Sequence, residues 1–191
     1  MKRFILALVL LLGSVPGLCQ TPEDPARTYF GDTVLVDQDG KPQRLYTDLI
    51  EGRTVLIHVG FTRCTSICPT ATASLKRIQA RLGERLGRDV HILSITIDPE
   101  YDTPARLKEY ATRLEAGPGW RFLTGKPGDV ETVLRKLGLW AAAPEKHPAM
   151  LIFGNLRTGL WKKAFALADA EEVLAVAASV FDDTAPPGTE P

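Results

Sequence analysis

The chain has 191 residues, 45% of them apolar, which suffices for one domain with a buried core. Its 23 basic residues balance 23 acidic ones, so the charge does not point to nucleic acid as a partner. No run of like charges marks a disordered interaction arm.

Residues 1–19 read as an export signal. Lys2 and Arg3 supply a positive start, the stretch 4–12 is unbroken apolar sequence, and Gly13, Ser14, Pro16 and Gly17 follow. A run that short falls below the roughly 20 residues of a membrane span and suits a signal peptide. Cleavage is expected between Gly17 and Gln20; retention as an N-terminal anchor, or lipid attachment at Cys19, are the alternatives. Cleavage leaves 21 basic residues against 23 acidic ones, a mature charge of −2.

Residues 20–32 are polar and contain proline, and are expected as an extended lead-in. Residues 33–45 predict a hairpin that turns at Asp37-Gln38-Asp39-Gly40. One helical turn over 46–50, closed by Gly52, leads to the continuous apolar run 54–61, a central buried strand. A helix is expected from Pro69 to about Leu86. Pro suits its first position, and Leu75, Ile78, Leu82 and Leu86 recur at helical spacing. A strand over 90–97 follows. Thr103 caps a helix over 104–115, whose inner stripe is Leu107, Tyr110, Ala111 and Leu114. A short strand over 120–123 precedes a helix over 129–137, which Gly138 ends. Paired strands over 150–153 and 160–165 flank residues 154–159, and a last helix spans 169–181. The Pro- and Gly-rich tail, 183–191, reads as disordered. Strands alternating with helices imply a mixed sheet covered by helices, one domain over residues 33–182.

Export changes the meaning of the cysteines. With Cys19 in the signal, only Cys64 and Cys68 remain, four residues apart, and an oxidising compartment favours their disulfide unless something reduces or binds them. The pair is therefore a staple, a redox couple or a metal site. A link this short restrains little of the unfolded chain, which weighs against a staple. Cys64-Thr65-Ser66-Ile67-Cys68-Pro69 falls between a buried strand and a helix. Sites of open α/β sheets lie beyond the strands' carboxyl ends, and the positive end of a helix favours thiolate over thiol. Within a helix, residues four apart hold their Cβ atoms roughly 5–6 Å apart, too far for an unstrained disulfide at about 3.5–4.5 Å. Pro69 puts Cys68 at the helix entry and leaves Cys64 in the loop, free to approach. Metal–sulfur bonds of about 2.3 Å tolerate a wider spacing, so both states are open to this pair.

A metal would want a third ligand, and the chain has three histidines. His58 falls inside a predicted strand and reads as a core residue, and His91 as a surface or edge residue. His147 follows a loop, and Pro148 keeps it extended so that it can project; the alternative is a solvated loop histidine. Two thiolates and an imidazole suit copper, whereas a closed structural zinc site takes four protein ligands. Asp98 ends a strand on the same side of the sheet as the cysteines, either as outer support for the site or as a turn residue.

The segments Gly60-Phe61-Thr62-Arg63-Cys64-Thr65-Ser66-Ile67-Cys68-Pro69 and Ser94-Ile95-Thr96-Ile97-Asp98-Pro99-Glu100-Tyr101-Asp102-Thr103-Pro104 resemble the Sco/SenC family of copper-binding proteins, which serve cytochrome c oxidase assembly. Leu107, Tyr110, Trp120 and Leu123-Thr124-Gly125 extend the resemblance, which covers residues 30–180, and His147 sits where the family places its ligating histidine. Two departures stand out. Lys146-His147-Pro148 replaces the family's frequent Asp-His-Ser, and Gly154-Asn155-Leu156-Arg157-Thr158-Gly159 replaces its Pro-Asp-Gly hairpin.

The resemblance implies a thioredoxin-like α/β fold with an N-terminal hairpin and an inserted hairpin before the last helix. It implies a copper metallochaperone that holds Cu(I) or Cu(II) through Cys64, Cys68 and His147. The implied partners are the copper-containing subunit of cytochrome c oxidase, or another copper client, and a thiol reductant. The implied place is the bacterial periplasm or the outer face of the inner membrane, with membrane contact only through an N-terminal anchor. A thiol–disulfide reductase acting on the client's cysteines uses the same pair and is the rival reading. A thiol peroxidase on this fold has no further residue to support it.

Overall fold

The computed structural model describes residues 24–184, so the expected signal segment and the tail beyond residue 184 lie outside the described residues. The chain opens with a short helix, α1 (Pro25–Phe30), where an extended lead-in was expected. Its cause is local. The Asp24 carboxylate accepts from the Ala26 N–H at 2.9 Å, and Pro25 takes a first-turn position that needs no N–H.

Strands β1 (Val34–Asp37) and β2 (Pro42–Arg44) form the expected hairpin, and the turn Leu45–Ile50 leads into β3 (Thr54–Gly60). Helix α2 (Cys68–Leu82), β4 (Val90–Thr96), α3 (Pro104–Arg113), β5 (Trp120–Thr124) and α4 (Pro127–Leu137) then alternate. β6 (Met150–Asn155), β7 (Leu160–Phe165) and α5 (Ala170–Phe181) complete the order. Helix α2 ends at Leu82, short of the predicted Leu86. Gly83 caps it with φ 52°, and a separate short turn carries Leu86 into the core.

The seven strands make one sheet in the order β2-β1-β5-β4-β3-β6-β7. β3, β4 and β5 run parallel, while β1, β2, β6 and β7 pair antiparallel on the two flanks. Every residue of β3 is buried because helices cover both faces. On one face Val55, Ile57 and Val59 pack with α1, the 45–50 turn and α4. On the other, Leu56 joins Leu75 and Ile78 of α2, Leu107 of α3 and Val173 of α5. The parallel strands point their carboxyl ends at one rim of the sheet, and the loops leaving that rim carry the cysteines.

Candidate metal centre

β3 stops at Gly60, and the loop from Phe61 leads to Cys68 as the first residue of α2. Cys68 is buried and Cys64 half-buried, and both are free thiols. Gly60 keeps the rim open. A Cβ there would lie 2.9 Å from the His58 ring, so any side chain would displace His58, and it would rest in ordinary contact, 3.5 Å, with Cys68 Sγ.

His147 arrives from the opposite side. A tight turn at Pro144–Lys146 delivers it, extended, just ahead of β6. Its ring is buried, whereas neighbouring Lys146 is exposed, so the lysine that breaks the family pattern does not share the histidine's burial. His147 Nδ1 lies 3.2 Å from the Pro148 carbonyl oxygen, which can only accept. Nδ1 therefore carries the proton, and Nε2 presents a lone pair 3.8 Å from Cys68 Sγ. The ring edge stands against Phe61 with centroids 6.2 Å apart.

The sulfurs of Cys64 and Cys68 and one nitrogen of His147 all lie within 4.8 Å of one another. Ligands about 2.3 Å from a shared ion stand at most about 4.6 Å apart, so the three close on one ion with small adjustments. The donor set of two sulfurs and one imidazole nitrogen fits a soft or borderline transition metal. His58 and His91 are not in this cluster. His58 is buried behind it, where Ser94 Oγ accepts from Trp120 Nε1 at 2.9 Å and lies 3.4 Å from His58 Nδ1. His91 is half-buried on β4, a central strand, rather than at an edge.

The two thiols are electrostatically unequal. Burial, with the Cys64 contact adding to it, pushes the Cys68 thiol up to about 12. Burial also opposes ionisation at Cys64, but hydrogen bonds from the Cys68 thiol and from the backbone at Cys68 and Ser66 leave it below the usual thiol value. Burial lowers His147 as well, against its contact with Pro148, so the imidazole is neutral and free to ligate near neutral pH.

Asp98 does not touch the three donors. Its carboxylate takes Arg63, with Nε at 2.8 Å and the second guanidinium contact at 2.7 Å. The Arg63 guanidinium also lies over the Tyr101 ring, 4.2 Å from its centroid. Asp98 thus supports the residue before Cys64 rather than a ligand. Asp102 and Thr62, which sequence reasoning passed over, meet beneath the same loop.

A mixed sheet covered on both faces, with two cysteines at a strand–helix junction facing a histidine, defines a thioredoxin-like protein with a Cys/Cys/His centre. The SCO1/SenC family model matches residues 22–152, and this chain belongs to that family. An SCO2-like protein of Rickettsia prowazekii is 31% identical over 150 residues, covering 72% of this chain and 71% of the relative. The SCO1 protein homolog of Bacillus subtilis is 35% identical over 108 residues, covering 56% and 54%. This chain spans about half the length of several of the curated relatives it matches.

Two solved structures share the fold at 25% identity. ScoI of Bradyrhizobium japonicum, solved with copper bound, superposes with a TM-score of 0.62 over 76% of this chain and 95% of its own. BsSco, described as a member of the Sco family of cytochrome c oxidase assembly proteins with a disulfide switch, superposes with a TM-score of 0.65 over 79% and 92%.

Proposed function

We propose that this protein is a copper metallochaperone that binds one copper ion through Cys64, Cys68 and His147 and delivers it to cytochrome c oxidase during assembly. The observation that carries the reading is the Nε2 of a buried histidine turned toward two free thiols, 3.8 Å from Cys68 Sγ. Nothing in thiol exchange calls for that imidazole, whereas copper uses it. Thiolates suit Cu(I), and the nitrogen helps hold Cu(II). Three donors on a half-open rim also suit a carrier, because a client's ligands can enter as these leave. Copper held in a relative's structure and the family's link to oxidase assembly support the same reading. Export to the bacterial periplasm, or to the outer face of the inner membrane, belongs to this proposal.

The test is a copper titration of the reduced and the disulfide-oxidised protein against a competing chelator. The reduced form is expected to take up about one ion and the oxidised form none, because the thiolate is the ligand. Equal uptake by both would end the assignment.

A thiol–disulfide reductase is the second reading, and one observation favours it. Cys64 is half-buried while Cys68 is buried, the inequality an attacking thiol and a resolving partner require.

A further inference from the structure

One buried carboxylate lies under the cysteine loop. Asp102 has no exposed surface and pairs with no cation among the described residues. An ionised carboxylate in such a place is costly unless donors surround it. Three do. The Thr62 N–H reaches it at 3.1 Å, the Thr62 hydroxyl bonds its other oxygen, and the Thr96 hydroxyl donates at 2.6 Å. Two of the three donors belong to Thr62, which is two residues before Cys64 and 40 residues before Asp102. The carboxylate therefore ties the start of the cysteine loop to the turn that follows β4.

That turn holds the loop twice. The Thr96 hydroxyl accepts the Asp98 N–H at 3.0 Å, and the Asp102 N–H in turn reaches the Asp98 carbonyl at 2.8 Å. Asp98 then takes Arg63. Consecutive loop residues, Thr62 and Arg63, are thus fastened by two carboxylates of one turn. The outer clasp is wet, with 57% of the Arg63 side chain exposed, and water and salt weaken it. The inner one is better shielded, because the Asp102 carboxylate is fully buried and Thr62 is half-buried, and it keeps more of its strength.

We infer that Asp102 is a positioning residue for the metal centre, fixing Thr62 so that Cys64 presents its sulfur to Cys68 and His147. The inference rests on the copper-binding reading. Ordering a loop costs entropy, and a loop ordered beforehand takes that cost out of metal capture. The clasp is formed around two free thiols, and a disulfide must draw the sulfurs to about 2 Å. The clasp therefore favours the dithiol over the disulfide.

Thr62→Val removes the hydroxyl at nearly constant volume, and Thr62→Ser keeps it. Two quantities are measured in the full protein, copper affinity against a chelator and the reduction potential of the Cys64–Cys68 pair, which needs no metal. Melting temperature is followed alongside to show that each variant folds. Thr62→Val is expected to weaken copper binding by about tenfold or more, the usual effect of losing an outer partner, and to make the potential more negative. Thr62→Ser restores both.

A Thr62→Val protein that melts earlier yet keeps wild-type affinity and potential makes Asp102 a fold-stabilising residue and nothing more. So does a serine variant no better than the valine one. If the wild-type protein takes up no copper, the copper reading falls by itself, and the potential still decides the clasp.

Discussion

The two arms of the centre are built differently. On the cysteine side, loop residues 62 and 63 are pinned by Asp102 and Asp98, and Cys68 is rooted in a 15-residue helix packed on the sheet. On the histidine side, a three-residue turn, backbone contacts of the ring and the His147 N–H, and the packing of the ring edge against Phe61 do the holding. No side chain clasps residues 144–146 among the described hydrogen bonds to that turn, and Glu145 and Lys146 are exposed. The difference teaches where geometry matters most. On the proposed copper-binding reading, the clasps set the sulfurs before a metal arrives, and the imidazole is the more lightly held third donor. A carrier gains from this asymmetry, since it can keep a soft ion on two sulfurs while the nitrogen comes and goes.

The largest expected effect breaks the stiff arm. Cys64→Ser and Cys68→Ser each leave one thiolate, and each is expected to lower Cu(I) affinity by more than the roughly 10–100-fold that loss of an outer partner costs. Chelator competition on the purified reduced proteins measures it. A serine variant within a few-fold of wild type would take that sulfur out of the site.

The lighter arm should show a smaller and more selective effect. His147→Ala is expected to weaken Cu(II) binding by roughly tenfold or more and Cu(I) binding by less, because Cu(II) prefers nitrogen or oxygen donors. The same variant separates carrier from reductase. In cells at normal abundance, a carrier with His147→Ala matures the oxidase poorly, whereas a reductase tolerates the change and fails only with the cysteine variants. Full oxidase activity with His147→Ala, and none with either serine variant, would transfer the assignment to the reductase.

The stiff arm was largely legible in the sequence, and its clasps were not. Cys64 and Cys68 announced themselves through a buried strand, a four-residue spacing and Pro69, all local signals. His147 showed only as a histidine before a proline; the family likeness, rather than any periodicity, singled it out. Asp98 was noticed for its place at a strand end, yet its partner proved to be Arg63. Asp102 lay in plain view inside a motif, but its bond to Thr62 spans 40 residues and leaves no periodic trace. Helix α1 was missed although Asp24-Pro25 is a fair start signal, because six residues are too few to show a helical stripe. The end of α2 was overrun because Leu86 keeps the period, while Gly83 breaks the backbone.

The smallest of these effects, read per unit of pH, sharpens the comparison by titrating one arm alone. Metal capture needs both thiols as thiolates. Burial and the neighbouring Cys64 push Cys68 up to about 12, so at any lower pH the ion must displace its proton. That exchange raises copper affinity by about tenfold for each unit of rising pH, and affinity is lost as pH falls. Cys64 adds a second proton only below its own value, which its hydrogen bonds hold under the usual 9.0. The slope is therefore steeper at low pH than at high pH. His147 contributes nothing near neutrality, because burial already holds it below 6.5 and neutral. Chelator competition between about pH 7 and 8 should then give the same slope for the wild type and for His147→Ala, although the mutant binds Cu(II) more weakly. A flatter slope in the mutant would mean that the imidazole surrenders a proton to the ion, and that the ring is less buried than this arm requires.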